Sequence, residues 1–244
     1  MEKHLQTIAA SYDRHFIYHG KDEDLCYDKL PDYITNHPDY PHRQAENASD
    51  WEEVRREKLH EYLSPAAGMN FIQLGCALSL RFRGYDKWAS TYYGVDISPE
   101  TIRFLHKYVA ETGLQIGALH CGSVHKTPFA ENYFDIGDCI GVLEYYERDF
   151  VGEVLREIHR LMKPGGKFVL DIPNISSPSG RMAMMVEEYM GRVDKFDMLP
   201  HEFEELLEGL FEIEDSDRLC AENRGEDYTG SMYYYFLRGK KEVS

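Results

Sequence analysis

Two short segments of the chain carry residue types suited to holding a nucleotide-like ligand. The run Phe71-Ile72-Gln73-Leu74-Gly75-Cys76-Ala77 is apolar up to a glycine, and the next apolar run, Gly94-Val95, ends in Asp96 with Ile97 and Ser98 behind it. If both runs are neighbouring parallel strands, Gly75 lets the main chain approach a ligand at the first strand's carboxyl end. Asp96 can then accept hydrogen bonds from both hydroxyls of a ribose. Singly, each is weak evidence: a strand-end glycine is usually a turn, and Asp before Ser often caps a helix. Together they favour the ligand. A dinucleotide wants G-x-G-x-x-G here. Gly75-Cys76-Ala77-Leu78-Ser79-Leu80 keeps only the first glycine, so that ligand fits poorly.

The elements that must position these residues are legible from periodicity. Leu5, Ile8, Ala9, Tyr12 and Phe16 recur at helical spacing over residues 1–19. Residues 20–43 read as loop, interrupted by Pro31, Pro38 and Pro41. A second helix begins near the capping box Ser49-Asp50-Trp51-Glu52 and stops before Pro65. Strands are then expected at 70–74, 91–95, 116–120, 134–140 and 167–172, with helices near 77–83, 99–112 and 148–162. Ser98-Pro99 marks a helix start. Lys163-Pro164-Gly165-Gly166 reads as a turn into the fifth strand. Residues 173–200 read as a connection, followed by a helix at 201–210 and strands at 211–217 and 232–237. Such alternation implies right-handed crossovers and a parallel sheet covered on both faces. The expected organisation is one structural domain, with residues 1–66 a helical cover and 67–244 the core.

Bulk properties bound the function. The formal net charge is −16, from 43 acidic against 27 basic residues. Such a field repels phosphate backbones, so no nucleic-acid partner is expected. Five scattered cysteines without a C-x-x-C pair suit a reducing compartment. The polar start Met1-Glu2-Lys3-His4-Leu5 and the lack of a span-length apolar run point to a cytoplasmic chain with no membrane partner. Oligomeric state stays open.

Further segments follow in fixed order. Cys121-Gly122-Ser123-Val124-His125-Lys126-Thr127-Pro128-Phe129 comes first. Phe134-Asp135-Ile136 is next, trailed by Gly141-Val142-Leu143-Glu144. The last is Arg156-Glu157-Ile158-His159-Arg160-Leu161-Met162-Lys163-Pro164-Gly165-Gly166. With residues 71–77 and 93–98, these resemble the class I methyltransferases that use S-adenosyl-L-methionine (SAM), particularly the small-molecule branch related to quinone-biosynthesis enzymes. The resemblance implies a Rossmann-like, mostly parallel seven-stranded α/β sheet with helices on both faces and an N-terminal helical cover. It also implies SAM as cofactor, with S-adenosyl-L-homocysteine (SAH) as product. Gly75 would lie under the methionine moiety and Asp96 would grip the ribose. Ile97 would pack on the adenine, edged by the Ser123 side chain and the Val124 backbone. Cys139 or Ile140 would offer main chain near the methionine end. Gln73 stands where the family has an acid; it can still accept a hydrogen bond but lacks the charge. Ala77 and Ser79 replace glycines, and Ser123 replaces an acid.

Methyl transfer from a sulfonium is an in-line displacement, which needs a nucleophile held roughly 3 Å from the methyl carbon with water excluded. A base is needed only if the nucleophile must lose a proton. Candidate proton acceptors are His19, Tyr145 and Tyr146. Three segments should converge over the methyl: Glu144, Tyr145 and Tyr146; Tyr12, His15, Tyr18 and His19; and Met182, Met184, Met185, Tyr189 and Met190. The methionines suit an adaptable pocket or plain helix packing equally. No H-E-x-x-H spacing exists, and His15 with His19 make a poor metal pair. The leading expectation is transfer to oxygen or nitrogen of a small-molecule acceptor. A SAM-binding partner or regulatory subunit without transfer is the alternative. A protein or RNA methyltransferase is disfavoured by acidity and by the cover.

Overall fold

The structure is a computed structural model that describes residues 2–19, 30–47, 51–192, 194–217 and 230–240. Its strands are β1 Asn70–Leu74, β2 Thr91–Asp96, β3 Ala118–Cys121, β4 Phe134–Cys139, β5 Met162–Pro173, β6 Phe211–Asp217 and β7 Met232–Gly239. The helices are α1 Glu2–His19, α2 Asp32–Thr35, α3 Tyr40–Asn47, α4 Trp51–Leu63, α5 Ser79–Phe82, α6 Pro99–Thr112, α7 Arg148–Leu161, α8 Pro178–Tyr189 and α9 Pro200–Leu207.

β1 is buried after its first residue, as a strand must be when helices cover both faces of its sheet. Its side chains alternate between two cores. Ile72 and Leu74 join α7 residues such as Phe150 and Leu155 on one face. Phe71 joins Leu59 and Leu63 of α4 and Leu105 of α6 on the other. The strands lie in the order β3-β2-β1-β4-β5-β7-β6. Pairing is parallel from β3 through β5, and β7 is antiparallel to both β5 and β6. The seven-stranded, mostly parallel α/β sheet is therefore as expected. The chain leaves β1 toward β2 and later returns to β4 on β1's other side. The carboxyl ends of β1, β2 and β4 thus border a topological switch point, where open α/β sheets bind ligands.

The start of α6 follows its sequence signature. Ser98 Oγ accepts from Thr101 N at 3.0 Å, Pro99 takes the first helical position, and Gly113 ends the helix with φ +68°.

Two regions differ from the sequence reading. Residues 173–200 contain α8, which carries the same Ser-Pro signature: Ser177 Oγ accepts from Gly180 N at 2.8 Å, with Pro178 behind the cap. Within 30–43, Pro31 caps α2 and Pro41 sits in the first turn of α3. A proline there gives up an N–H that has no helical partner anyway, so these prolines start helices instead of excluding them. The turn 163–166 is absorbed into β5, with a register shift against β4 between Phe134 and Ile136. Ser49 and Asp50 lie outside the described residues.

The N-terminal helices are tied to the sheet by specific bonds. Asp13 on α1 accepts from Ser98 Oγ at 2.6 Å. His4 Nε2 lies 2.6 Å from the carbonyl oxygen of Tyr145. Glu46 on α3 is buried and accepts from the N and Oγ of Ser231, each at 2.9 Å. Among the described residues no helix is long and apolar enough to cross a membrane.

Candidate functional site

The loop after β1 is clamped to β2 by main-chain bonds. The N–H groups of Gly75 and Cys76 both donate to Val95 O at 2.9 Å. At the end of β2, Asp96 Oδ2 accepts from Ala77 N at 2.7 Å and Oδ1 from Ser98 N at 2.9 Å. A carboxylate has about four lone-pair sites, so acceptor capacity remains on Asp96. Burial pushes this carboxyl up to about 6, opposed by the N–H groups it accepts.

Gly75 has φ +72°, and a Cβ added there would sit 2.1 Å from Val142 Cγ2. Both the backbone and the space therefore demand glycine. The sequence reading put a methionine moiety over this residue; in the structure the side chain of Val142, from the turn after β4, packs against it. Ala77 has φ +39°, at a position where the resemblance asks for glycine. An L side chain in that region costs about 1 kcal/mol. Ala77→Gly is expected to raise unfolding stability by about 0.5–1 kcal/mol in a denaturant titration, and a loss of stability would contradict the left-handed turn.

Gln73 lies opposite Asp138 in the β1–β4 ladder, so the two side chains share a face. Gln73 Oε1 accepts from Tyr92 OH and Asp138 Oδ2 from Tyr85 OH, each at 2.8 Å. Asp138 is fully buried, and its Oδ1 has no hydrogen-bond partner among the described residues. Burial pushes Asp138 up to about 7, opposed by Tyr85, by Arg83 and Arg55, and by Gln73. The acid missing at position 73 thus has a counterpart one strand away. Sequence reading missed it because a charged residue inside a β4 pattern gives no signal of which neighbour it faces.

The adenine-side candidates follow β2 and β3. Gly122 N donates to Asp96 O at 2.8 Å, which brings the segment after β3 beside Asp96. Ser123 Oγ lies 2.7 Å from His125 Nδ1. Val124 is buried in the α7-side core, and Ile97 is partly buried against it. Ile140 is buried in the opposite core, after β4.

At the third edge, Tyr145 and Tyr146 are both buried. The Tyr145 hydroxyl lies 3.0 Å from that of Tyr12 and donates to Glu187 Oε2 at 3.1 Å. Tyr146 packs tilted on Phe150 at 4.3 Å. Burial pushes both phenols well up, reinforced by Tyr12, Glu144 and Glu187 at Tyr145 and by Cys139 and Glu144 at Tyr146. Such phenols stay protonated at neutral pH and can donate hydrogen bonds. His19 falls on α1, but its side chain, like those of His15 and Tyr18, lies outside the described residues.

Glu144 is 9% exposed, and its Oε2 finds no partner among the described residues. Arg192 Nη1 donates to Glu187 Oε2 at 2.8 Å, and its guanidinium stands 4.5 Å from the ring centre of Tyr12. Sequence reading noticed Glu144 but missed Arg192 and Asp194, which belong to the stretch taken as a plain connection. Met182 is buried with Ile34 and Val186, and Met185 and Met190 pack against that cluster, so these methionines are helix packing. No group of three or more His, Cys, Asp or Glu is set to hold a metal among the described residues.

Residues 72–170 match the family described as a methyltransferase domain. A ubiquinone biosynthesis O-methyltransferase of Xanthomonas axonopodis pv. citri is 24% identical over 140 residues, 57% of this chain and 57% of that one. A sterol 4-C-methyltransferase of Caenorhabditis elegans is 27% identical over 116 residues, 46% of this chain and 33% of that one. The chain spans about half the length of the curated O-methyltransferases it matches. Geranyl diphosphate C-methyltransferase from Streptomyces coelicolor A3(2), crystallised with Mg2+, geranyl diphosphate and SAH, superposes with a TM-score of 0.66 over 98% of each chain at 14% identity. That last likeness is one of fold.

Proposed function

We propose that the chain, whose residues 72–170 match a methyltransferase domain on a sheet of order β3-β2-β1-β4-β5-β7-β6, transfers a methyl group from SAM to oxygen or nitrogen of a small molecule in the cytoplasm. The observation that carries this reading is Asp96. It is an acid at the end of β2, beside the switch point, held by two main-chain N–H groups with acceptor capacity to spare. That spare acceptor capacity fits the two hydroxyls of a ribose, which would donate to it.

Ile97, Ser123 and Val124 would bracket the adenine, while Gly75 and Ile140 would lend main chain. Bound SAM supplies an electrophilic methyl on a sulfonium. Gln73 and Asp138 together would take the ammonium of the amino-acid end, with Asp138 providing the charge that Gln73 lacks. The fit rests on Asp138, fully buried beside the Gln73 side chain, with an Oδ1 that has no hydrogen-bond donor among the described residues. Residues 1–66 act as the cover over a 67–244 core, and Tyr145 and Tyr146 orient the acceptor. His19 is the remaining base candidate.

Asp138→Asn is expected to weaken SAH binding about tenfold by calorimetry, the loss of one charge-assisted bond. Adding Gln73→Glu should restore it. Full affinity in the single variant would remove Asp138 from the site.

Small-molecule transfer is supported by the net charge of −16 and by relatives named for ubiquinone biosynthesis and for a sterol. A second reading, a SAM-binding subunit without transfer, draws on Val142 packed against Gly75. Calorimetry with SAH followed by transfer of labelled methyl to a metabolite panel separates the two. Binding without transfer favours the subunit, and no SAH binding defeats both.

A further inference from the structure

Four acids meet around the turn that follows β4: Glu144 on the turn, Asp171 in β5, Glu187 on α8 and Asp194 beyond it. Their partners are unequal. Glu187 has Arg192 at 2.8 Å and the Tyr145 hydroxyl at 3.1 Å. Asp171 Oδ1 accepts from Gly141 N at 2.8 Å and lies in the field of Arg55 and Arg83. Glu144 and Asp194 have less. Glu144 Oε2 and Asp194 Oδ1 are both buried without a hydrogen-bond donor among the described residues. Glu144 is nine-tenths buried, and its other oxygen, Oε1, faces the bare side of Gly141, 3.7 Å from where a Cβ would stand. The Glu144 main-chain N–H bears on its own carboxylate, and its carbonyl accepts from Lys195 N and Phe196 N at 2.9 and 3.1 Å, which holds the Asp194 segment beside it.

A buried carboxylate without donors is expensive to keep charged, and a bound cation relieves that expense. The nearest described cation, Arg192, gives Nη1 to Glu187 and stands over the ring of Tyr12. Its charge favours the ionised form of Asp194 and its buried Nε is unpaired among the described residues, but Glu144 draws its main influences from acids and its own main chain. The three tyrosines that feel the Glu144 charge are Tyr12, Tyr145 and Tyr146. Their rings suit the substituents of an organic cation better than those of a hydrated inorganic one. No metal-holding group exists there among the described residues.

We propose that Glu144 and Asp194 form a subsite for a cationic amine, so that the methyl acceptor carries an ammonium group. The inference rests on the methyltransferase reading and narrows its acceptor. Burial and the neighbouring acids push Glu144 well up, and Asp194 up to about 8. Such a carboxyl holds its proton while the site is empty and releases it to water as an ammonium binds. The resulting Glu144 carboxylate can then take a proton from the nitrogen: the N–H bond breaks, an O–H bond forms, and ammonium plus carboxylate become amine plus carboxylic acid. The amine keeps its lone pair.

The test is calorimetry on the whole chain with matched probes, butylamine and 2-phenylethylamine against 1-butanol and 2-phenylethanol, each with and without SAH. At least one amine should bind tenfold or more tighter than its alcohol. Glu144→Gln should shrink that ratio to within twofold while SAH affinity stays within twofold. Equal binding of amine and alcohol, no binding by either amine, or a preference that survives Glu144→Gln would overturn the subsite. If Glu144→Gln fails to fold by circular dichroism, Asp194→Asn carries the same comparison. Absence of SAH binding by the wild-type chain would count against the cofactor reading alone, because the amine-to-alcohol ratio is read without SAH as well.

Discussion

Asp96→Ala is expected to weaken SAH binding at least tenfold. Two hydrogen bonds from ribose hydroxyls to an ionised carboxylate contribute roughly 1.5–3 kcal/mol each, so even one lost bond accounts for a factor of ten. The side chain also satisfies the N–H groups of Ala77 and Ser98. Alanine therefore leaves two donors unpaired and loosens the loop that carries Gly75. Asp96→Asn separates these roles, since its one acceptor oxygen can keep a main-chain partner while its NH2 cannot accept. Both variants should lose SAH affinity, and alanine should also lose thermal stability. The pH profile gives an independent reading. Burial pushes the free carboxyl up to about 6, and only the ionised form accepts from both hydroxyls. SAH affinity of the wild-type chain should be level above that value and fall as pH drops through it, while Asp96→Asn stays flat. Unchanged affinity in a folded Asp96→Ala protein would end the ribose assignment.

Gly75→Ala is expected to destabilise the fold by about 2–5 kcal/mol. Two costs add. The positive φ of +72° penalises any L side chain by about 1–2 kcal/mol. The new methyl would also lie 2.1 Å from Val142 Cγ2, and such overpacking in a close-packed interior costs about 1–3 kcal/mol. A double-mutant cycle with Val142→Ala resolves them, because shortening the valine removes the clash and leaves the backbone penalty. Denaturant midpoints for the four proteins should show a favourable coupling of 1 kcal/mol or more between the two substitutions. A Gly75→Ala protein within 0.5 kcal/mol of wild type would contradict the described turn.

What the sequence disclosed followed local rules. The strand–helix alternation, the Ser98-Pro99 start and the pairing of Gly75 with Asp96 are short-range signals, and each lies where it was expected. Ser177-Pro178 carries the same helix-start signal as Ser98-Pro99, inside the stretch read as a connection. The prolines at 31 and 41 were read as breakers, although a proline in a helix's first turn breaks nothing. The site was less legible because its polar partners are brought together across strands. That Asp138 faces Gln73 depends on ladder register, and that Asp194 lies near Glu144 depends on how a loop returns to the sheet. Neither spacing is visible along the chain. Ala77 was recognised as a departure, but its cost became definite only with its left-handed backbone.

The two bonds made by the Ser98 hydroxyl run in opposite senses. Its lone pair receives Thr101 N, while its proton goes to Asp13 on α1. The first bond needs nothing from the N-terminal helix. Were α1 to lift away, water would have to replace Asp13 at both the Ser98 hydroxyl and Glu100 N, while the Ser98 cap on Thr101 N would remain. The α1 contact thus adds a second tie to a helix start that Ser98 already caps through Thr101.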